Sequence, residues 1–273
     1  MRLSEALSFG AGQISRRDAV YVLKSVTGHA REDIIIQGDT ILCKNHISEY
    51  TQKIERLTNG EPLQYVLGKW DFCGIEFIVD KRALIPRPET ELLVETVVDH
   101  IKVKQWLDVL DVCAGGGCIG LSIAKFTGFG HNIVLADISE QALSLAKENF
   151  LRLFARGRIN LIQSDLLDDI PGEFDIIVSN PPYIPSKEMD SLPENVKNFE
   201  PHLALNGGPD GLDIYRKLIP QSFAKLKPGG MIFLEIGPAQ AMEIMQKSGF
   251  KDTKIQKDYS GIDRILQGVK CHV

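Results

Sequence analysis

Residues 106–120 read Trp106-Leu107-Asp108-Val109-Leu110-Asp111-Val112-Cys113-Ala114-Gly115-Gly116-Gly117-Cys118-Ile119-Gly120. An apolar run, Trp106–Val112, breaks into a glycine turn, and a helical pattern follows over Ile119–Lys125. Strand, glycine turn and helix in that order open a βαβ unit. Downstream the alternation continues. Strands are predicted at Asn132–Ala136, Ile159–Gln163, Asp175–Ser179 and Met231–Ile236. Helices are predicted at Glu140–Phe150, Leu212–Leu226 and after Pro238. Short apolar strands alternating with helices predict an α/β fold, a parallel sheet covered on both faces. Ligands of such sheets sit at the carboxyl ends of the strands, so the loops after each strand are where chemistry is sought.

Upstream the pattern changes. Leu3, Ala6 and Leu7 share a helix face, and so do Ala19, Val22, Leu23 and Val26, with Ser15 as cap and Gly28 as stop. A third helical segment runs from Ser48 to Asn59, closed by Asn59-Gly60. Ile75, Phe77 and Val79 then alternate with Glu76, Ile78 and Asp80, as in a hairpin or extended linker. Pro88 suits the first turn of a further helix. The boundaries read as a helical domain over 1–70, a hairpin linker over 71–86 and the sheet domain over 87–273. A chain of 273 residues is long enough for two modest domains at about 150 residues each.

With 44% hydrophobic and 25% charged residues the chain can build a core, which excludes disorder. Its net charge of −5 argues against coating nucleic acid through a broad basic face. The five cysteines, Cys43, Cys73, Cys113, Cys118 and Cys271, include no CxxC pair, so neither a disulfide scaffold nor a structural metal site is expected, and a reducing cytoplasm is. The N-terminus lacks the long apolar stretch of a signal peptide, and no run approaches the roughly 20 residues of a membrane span.

Gly115, Gly117 and Gly120 satisfy GxGxxG, with Asp137 about 20 residues on at the end of the second strand. A dinucleotide fits that spacing, and so does a glycine turn with only a packing role. Asp111 shifts the balance to S-adenosylmethionine: a carboxylate repels a pyrophosphate but attracts an ammonium and a sulfonium. Cys113, Ala114, Gly115, Gly116 and Gly117 would form the cofactor loop. Asp137 can accept both ribose hydroxyls, or serve as the charge before a helix cap at Ser139. Asp165 can accept from an adenine amino group with Leu166 packed on the ring, or be a turn residue.

The fourth strand runs into Asn180-Pro181-Pro182-Tyr183. By average residue usage such a string arises on the order of once in a thousand chains this long, which disfavours a mere proline turn. The Asn180 side-chain oxygen and the Pro181 carbonyl can each accept from one proton of an NH2 group, aiming its nitrogen at a methyl donor. Rigid prolines, Pro181 and Pro182, hold that geometry, and Tyr183 can stack on a planar amide or base.

These elements together resemble the class I, seven-stranded S-adenosylmethionine-dependent methyltransferases that act on exocyclic or amide nitrogens. Pro62-Leu63-Gln64-Tyr65-Val66-Leu67-Gly68, the Phe72–Val79 stretch, and Leu84-Ile85-Pro86-Arg87-Pro88-Glu89-Thr90-Glu91 narrow the resemblance. So do Phe199-Glu200-Pro201, Gly208-x-Asp210-Gly211-Leu212 and Asp258-x-x-Gly261-x-Asp263-Arg264. The chain is similar to the peptide chain release factor glutamine methyltransferases, the PrmC or HemK family. The resemblance implies a Rossmann-like sheet with a C-terminal hairpin and a small helical N-terminal domain. The implied substrate is the Gly-Gly-Gln glutamine of class I release factors, with no membrane or stable nucleic-acid partner. Cys113 to Gly117, Asp137, Leu166 and Asn180 would contact the cofactor, Asn180 to Tyr183 would hold the glutamine, and Arg87 to Thr90 would lie near the cofactor's methionine end. The family carries glycine where this chain has Cys113, so the Cys113 backbone is expected to avoid a glycine-only conformation. It carries an aromatic where this chain has Leu166.

Three rivals differ in what they require. A DNA adenine-N6 methyltransferase shares the four-residue motif but needs a basic recognition region. A catalytically dead scaffold has no need of Asn180. A nicotinamide-dependent dehydrogenase would bind NADH. The helical domain is expected to recognise the protein substrate, the alternative being that it only covers an apolar flank. No histidine adjoins the motif, the nearest being His202, so a rate flat between about pH 6.5 and 9 is expected.

Overall fold

The computed structural model describes residues 1–104, 106–154, 159–237 and 241–271. They form two compact units, one of Met1–Lys69 with Pro193–Phe199, the other of Trp70–Leu192 with Glu200–Val273. The first unit therefore takes in a short segment, including helix α9 (Glu194–Lys197), that a single cut along the chain near residue 70 does not assign to it.

The first unit contains α1 (Leu3–Ala11), α2 (Arg16–Thr27), α3 (Arg31–Ile36), α4 (Lys44–Thr58) and α5 (Leu63–Leu67). Ser15 Oγ accepts from Asp18 N at 3.1 Å, and Gly28 closes α2 at φ +74°. Leu3, Ala6, Ala19, Val22, Leu23, Tyr50 and Ile54 form the shared core. Helix α4 starts four residues before the expected Ser48, because the Cys43 thiol accepts from His46 N and caps it. Helix α3 has no helical period to read: of its three isoleucines only Ile34 is buried.

In the second unit β1 (Lys69–Phe72) and β2 (Ile75–Ile78) make a separate two-stranded hairpin. Its turn residues Cys73 and Gly74 both have positive φ, +53° and +68°, which matches the twist of a two-residue hairpin. Helix α6 (Pro88–Ile101) follows, with Pro88 in its first turn. The main sheet is built from β3 (Asp108–Val112), β4 (Asn132–Asp137), β5 (Ile159–Gln163), β6 (Phe174–Ser179), β7 (Leu226–Glu235), β8 (Lys251–Lys257) and β9 (Asp263–Val269). It is covered by α6, α7 (Cys118–Phe126), α8 (Glu140–Leu153), α10 (Asp213–Lys225) and α11 (Ala241–Lys247). Residues 238–240, where the last helix was expected to begin, lie outside the described residues.

The strand order is β5-β4-β3-β6-β7-β9-β8. β3 to β7 pair in parallel, while β9 runs antiparallel to β7 and β8. The five strands read from the alternation are the parallel ones, and the antiparallel β8 and β9 form the C-terminal hairpin that the resemblance implies. β8 carries Lys251, Lys254 and Lys257 and little apolar alternation, so its sequence gives no strand signal. Such charge also keeps an edge strand from pairing with another chain. Trp106, expected to start β3, stands before it at φ +60° and 70% exposed.

Both faces of the sheet are buried. Val109, Ile176 and Val178 join one apolar cluster with Leu93, Val97 and Leu121, and Leu110, Val112 and Ile177 join another with Tyr215, Leu218 and Ile219. Strand order reverses at β3, between its neighbours β4 and β6, so a crevice opens where β3 and β6 end.

Helix α7 reaches β3 because Gly120 has no side chain. A Cβ there would stand 2.3 Å from Leu135 Cδ2 and 3.1 Å from Asp111 Oδ2. Gly120→Ala is expected to lose about 1–3 kcal/mol through overpacking, read as a lower urea midpoint. An unchanged midpoint would show that the contact has slack.

Candidate active site

The register of β3 against β6 pairs Val112 with Ser179, so the two strands end level, at Cys113 and Asn180. Ser179 Oγ donates to the Val112 carbonyl at 2.6 Å in a fully buried contact. The glycine loop and the Asn-Pro-Pro-Tyr turn are therefore neighbours. Around them a cavity is lined by Ala83–Arg87, Thr90, Cys113–Gly116, Asp137, Ser164–Leu166, Asn180, Pro182 and Pro201, among others.

The loop is fixed by bonds from outside it. Gly115 N donates to Asp137 Oδ2 at 2.8 Å, and Ser139 N donates to Asp137 Oδ1 at 2.9 Å. These donors orient the Asp137 carboxylate and oppose the burial that raises its pKa. Gly117 turns at φ +80°, where a Cβ would meet Ala146, Leu121 and Leu135 at 3.1–3.2 Å. The fully buried Asn149, which sequence reasoning missed, donates to the Gly116 carbonyl at 3.0 Å. It also accepts from Ile78 N at 2.7 Å and donates to Ile78 O at 3.1 Å, tying the hairpin to the loop. Nothing in the spacing of a lone asparagine on an amphipathic helix marks that role.

Two expectations are corrected. Asp111 does not face the cavity; its side chain points beneath the loop and is fully buried, with Oδ2 accepting from Gly120 N at 2.8 Å and Oδ1 without a partner. Burial pushes its carboxyl up to about 8, with Gly120 N–H pulling the other way. Alternation along β3 explains this: Val112, one residue on, faces the opposite side. Cys113 in turn does not avoid the glycine-favoured region but sits at φ +58°. Leu166, the other departure from the family pattern, sits at φ +53°. Left-handed backbone costs an L residue about 1–2 kcal/mol, which the packing around the two side chains offsets.

On the acceptor side, Asn180 Nδ2 donates to Thr90 Oγ1 at 3.2 Å, and Thr90 Oγ1 donates to Glu235 Oε2 at 2.6 Å. Burial raises the Glu235 carboxyl to about 7, opposed by the Thr90 hydrogen bond and by Arg264. Glu200, also buried, accepts from Arg87 Nη2 at 2.6 Å and from Ile85 N at 3.1 Å, fixing the strap that precedes α6. Glu235 escaped sequence reasoning because it ends an apolar strand as its only charge after Lys227. Pro181 is buried and Tyr183 packs edge-on to Gly237, where a Cβ would be 2.6 Å from its ring; neither lines the cavity, whereas Asn180 and Pro182 do. Asp165 is exposed at the cavity rim, with Leu166 buried behind it. Among the described residues no group of His, Cys, Asp or Glu is placed to hold a metal ion.

Comparison with known proteins assigns the architecture. A family model described as the PrmC N-terminal domain matches residues 3–68, and one described as the methyltransferase small domain matches residues 88–208. A protein of Clostridium acetobutylicum named release factor glutamine methyltransferase is 38% identical over 259 residues, covering 93% of this chain and 90% of its own length. One of the same name from Koribacter versatilis is 43% identical, covering 82% of this chain and 80% of its own. The chain belongs to the release factor glutamine methyltransferases. A model described as the Eco57I restriction-modification methylase also matches, over residues 153–267, the half that carries the Asn180 turn. Two solved structures share the fold of this chain. They are a T. thermophilus 16S rRNA N2 G1207 methyltransferase (TM-score 0.56, 19% identity, 74% of this chain and 49% of that one) and a methyltransferase from Pyrococcus furiosus (0.55, 20%, 74% and 91%).

The buried Asp111 makes stability depend on pH. Its carboxyl ionises near 3.8 when unfolded and near 8 when folded, so between those values the folded chain holds a proton that the unfolded chain has lost. Wild-type stability contributed by this group falls as pH rises through that window. In Asp111→Asn the fall is absent. Urea denaturation at several pH values between about 5 and 9 should show the variant gaining on the wild type as pH rises; a constant gap would contradict a neutral buried Asp111.

Proposed function

We propose that this chain transfers a methyl group from S-adenosylmethionine to the side-chain amide nitrogen of the Gly-Gly-Gln glutamine in class I peptide chain release factors. The observation that carries the reading is the Asn180 side chain at the end of β6. Its NH2 is committed to Thr90, so Oδ1 is left to accept from an incoming amide at the cavity wall. The name shared by relatives aligned along most of the chain supports the substrate.

The cavity fits the cofactor. An oriented carboxylate, Asp137, stands ready for ribose hydroxyls, and Gly115 and Gly116 offer backbone without side chains. Leu166 gives an apolar face and Asp165 an acceptor for the adenine edge. Cys113 and Ala114 line the turn between them, with Gly117 opening α7 behind it. When bound, S-adenosylmethionine supplies a methyl group on a positively charged sulfur. Asn180 Oδ1, at the cavity wall, accepts one amide hydrogen of the glutamine and holds its nitrogen at the end of β6. Pro181 and Pro182 make the turn stiff, so little freedom is lost on docking. As the new C–N bond forms, the methyl–sulfur bond would break with its electron pair kept by sulfur, and the nitrogen would give up one proton to water. Tyr183, braced against Gly237, steadies the turn behind Pro182.

DNA adenine is the competing acceptor, since the restriction-modification match covers the same turn. A net charge of −5 disfavours it. The helical unit would supply the surface that selects the release factor, because an amide pocket alone is far smaller than the roughly 800 Å² per partner of stable recognition. All five cysteines are free, which suits a reducing cytoplasm, and among the described residues no helix is long and apolar enough to cross a membrane.

Labelled S-adenosylmethionine offered with a release factor and duplex DNA side by side should mark the release factor at its glutamine; labelling of DNA alone refutes the assignment. Asn180→Ala should lower turnover by about a hundredfold or more while S-adenosylhomocysteine still binds. Near-wild-type turnover would remove Asn180 from its role. In hydrogen exchange, saturating release factor should protect amides within residues 1–69. If it protects none there, recognition lies elsewhere.

A further inference from the structure

Two hydrogen bonds join Asn180 to a buried carboxyl group on β7. Thr90 is 4% exposed and Glu235 1%, so water has little access to the bond between them. A threonine hydroxyl has one hydrogen to give. While Glu235 is ionised that hydrogen goes to Oε2, and Thr90 Oγ1 can then only accept. Asn180 must therefore turn its NH2 toward Thr90, which leaves Oδ1 facing the cavity. Protonation inverts the chain. A Glu235 O–H donates to Thr90, the Thr90 hydrogen goes to the Asn180 oxygen, and Asn180 presents its NH2 to the acceptor instead.

We propose that Glu235, acting through the Thr90 hydroxyl, is a positioning residue that sets Asn180 as a hydrogen-bond acceptor, so that methyl transfer requires Glu235 to be ionised. The proposal rests on the reading of Asn180 as the group that orients the acceptor amide. It needs no general base and replaces the expectation of a flat rate near neutrality.

The groups facing Glu235 come from every element around it. Arg264 on β9 and Arg87 before α6 favour its ionised form, and Glu89 in the first turn of α6 opposes it. Tyr183, beyond β6, is itself harder to ionise, first through burial and then through the charge of Glu235. Tyr215 of α10 donates to the Glu235 main-chain oxygen at 2.8 Å and so leaves the carboxyl to Thr90. Arg264 is shared with Asp258, to which it donates at 3.1 and 3.2 Å. Burial outweighs the two arginines and brings the ionisation to about 7, within the range where the switch is felt.

Single-turnover rates on a purified release factor, from about pH 5.5 to 9, test this. The wild type should rise about tenfold per pH unit below one ionisation near 7 and be level above it. Glu235→Gln should be level throughout. Thr90→Val should be slower by about tenfold or more and also level, and Thr90→Ser should restore both rate and profile. A readout apart from turnover is the carboxyl carbon signal of labelled glutamate. The resonance missing in Glu235→Gln should titrate near 7 in the wild type and shift in Thr90→Val. Near-wild-type binding of S-adenosylhomocysteine shows that each variant has folded; should Thr90→Val fail there, Glu235→Gln and Thr90→Ser decide between themselves. A Glu235→Gln profile that keeps the wild-type rise overturns the proposal, as does Thr90→Val at the wild-type rate. Wild-type methylation of the release factor with no pH dependence overturns this relay alone. No methylation of the release factor overturns the underlying reading and the relay with it.

Discussion

Everything at the site depends on the parallel pairing of β3 with β6. Neither strand carries a group that would act alone; what matters is that they end at the same height. The buried bond from Ser179 to the Val112 carbonyl links the last residue of each strand side chain to main chain. A slip by one residue would turn Asn180 to the other face and move the glycine loop away from it. The tall apolar clusters on both sides of the sheet hold that register, and the loop chemistry rests on it.

Around this seam the protein tolerates unfavourable local features. Cys113 and Leu166 both take left-handed backbone, one at the end of β3 and one beyond β5. Asp111 keeps an oxygen unpartnered in the core directly under the loop. Each raises the local energy; Cys113 and Leu166 lie where the backbone turns at the cavity wall, and Asp111 lies in the strand beneath that turn. Strain gathered at such a place is what a preorganised pocket looks like when the remaining structure over-determines it.

Much of this was legible in residue patterns, and the failures are instructive. The strand-turn-helix alternation located β3 to β7 because buried parallel strands are apolar throughout. β8 and β9 were visible only through family resemblance, since β8 is a lysine-bearing edge strand. The Asn180 turn announced itself because proline pairs at a strand end are scarce. Asn149 and Glu235 did not, and Thr90 and Glu200 entered only through the resemblance, because their bonds reach across 33 to 145 residues of chain, where no spacing rule applies. Asp111 shows the reverse error: the right residue type in the right place, with its side chain on the wrong face.

Asn149 carries a consequence for how the sequence can change. One amide group serves Ile78 twice and Gly116 once, and among the described residues no second side chain shares the task. Its loss would leave an N–H and two carbonyls unpaired together, in a buried spot and on two segments far apart in the chain. Substitutions at 78, 116 and 149 therefore cannot be treated as separate events; their effects are not additive. A hairpin that looks like an optional appendage of the sheet is thus tied to the same evolutionary path as the cofactor loop.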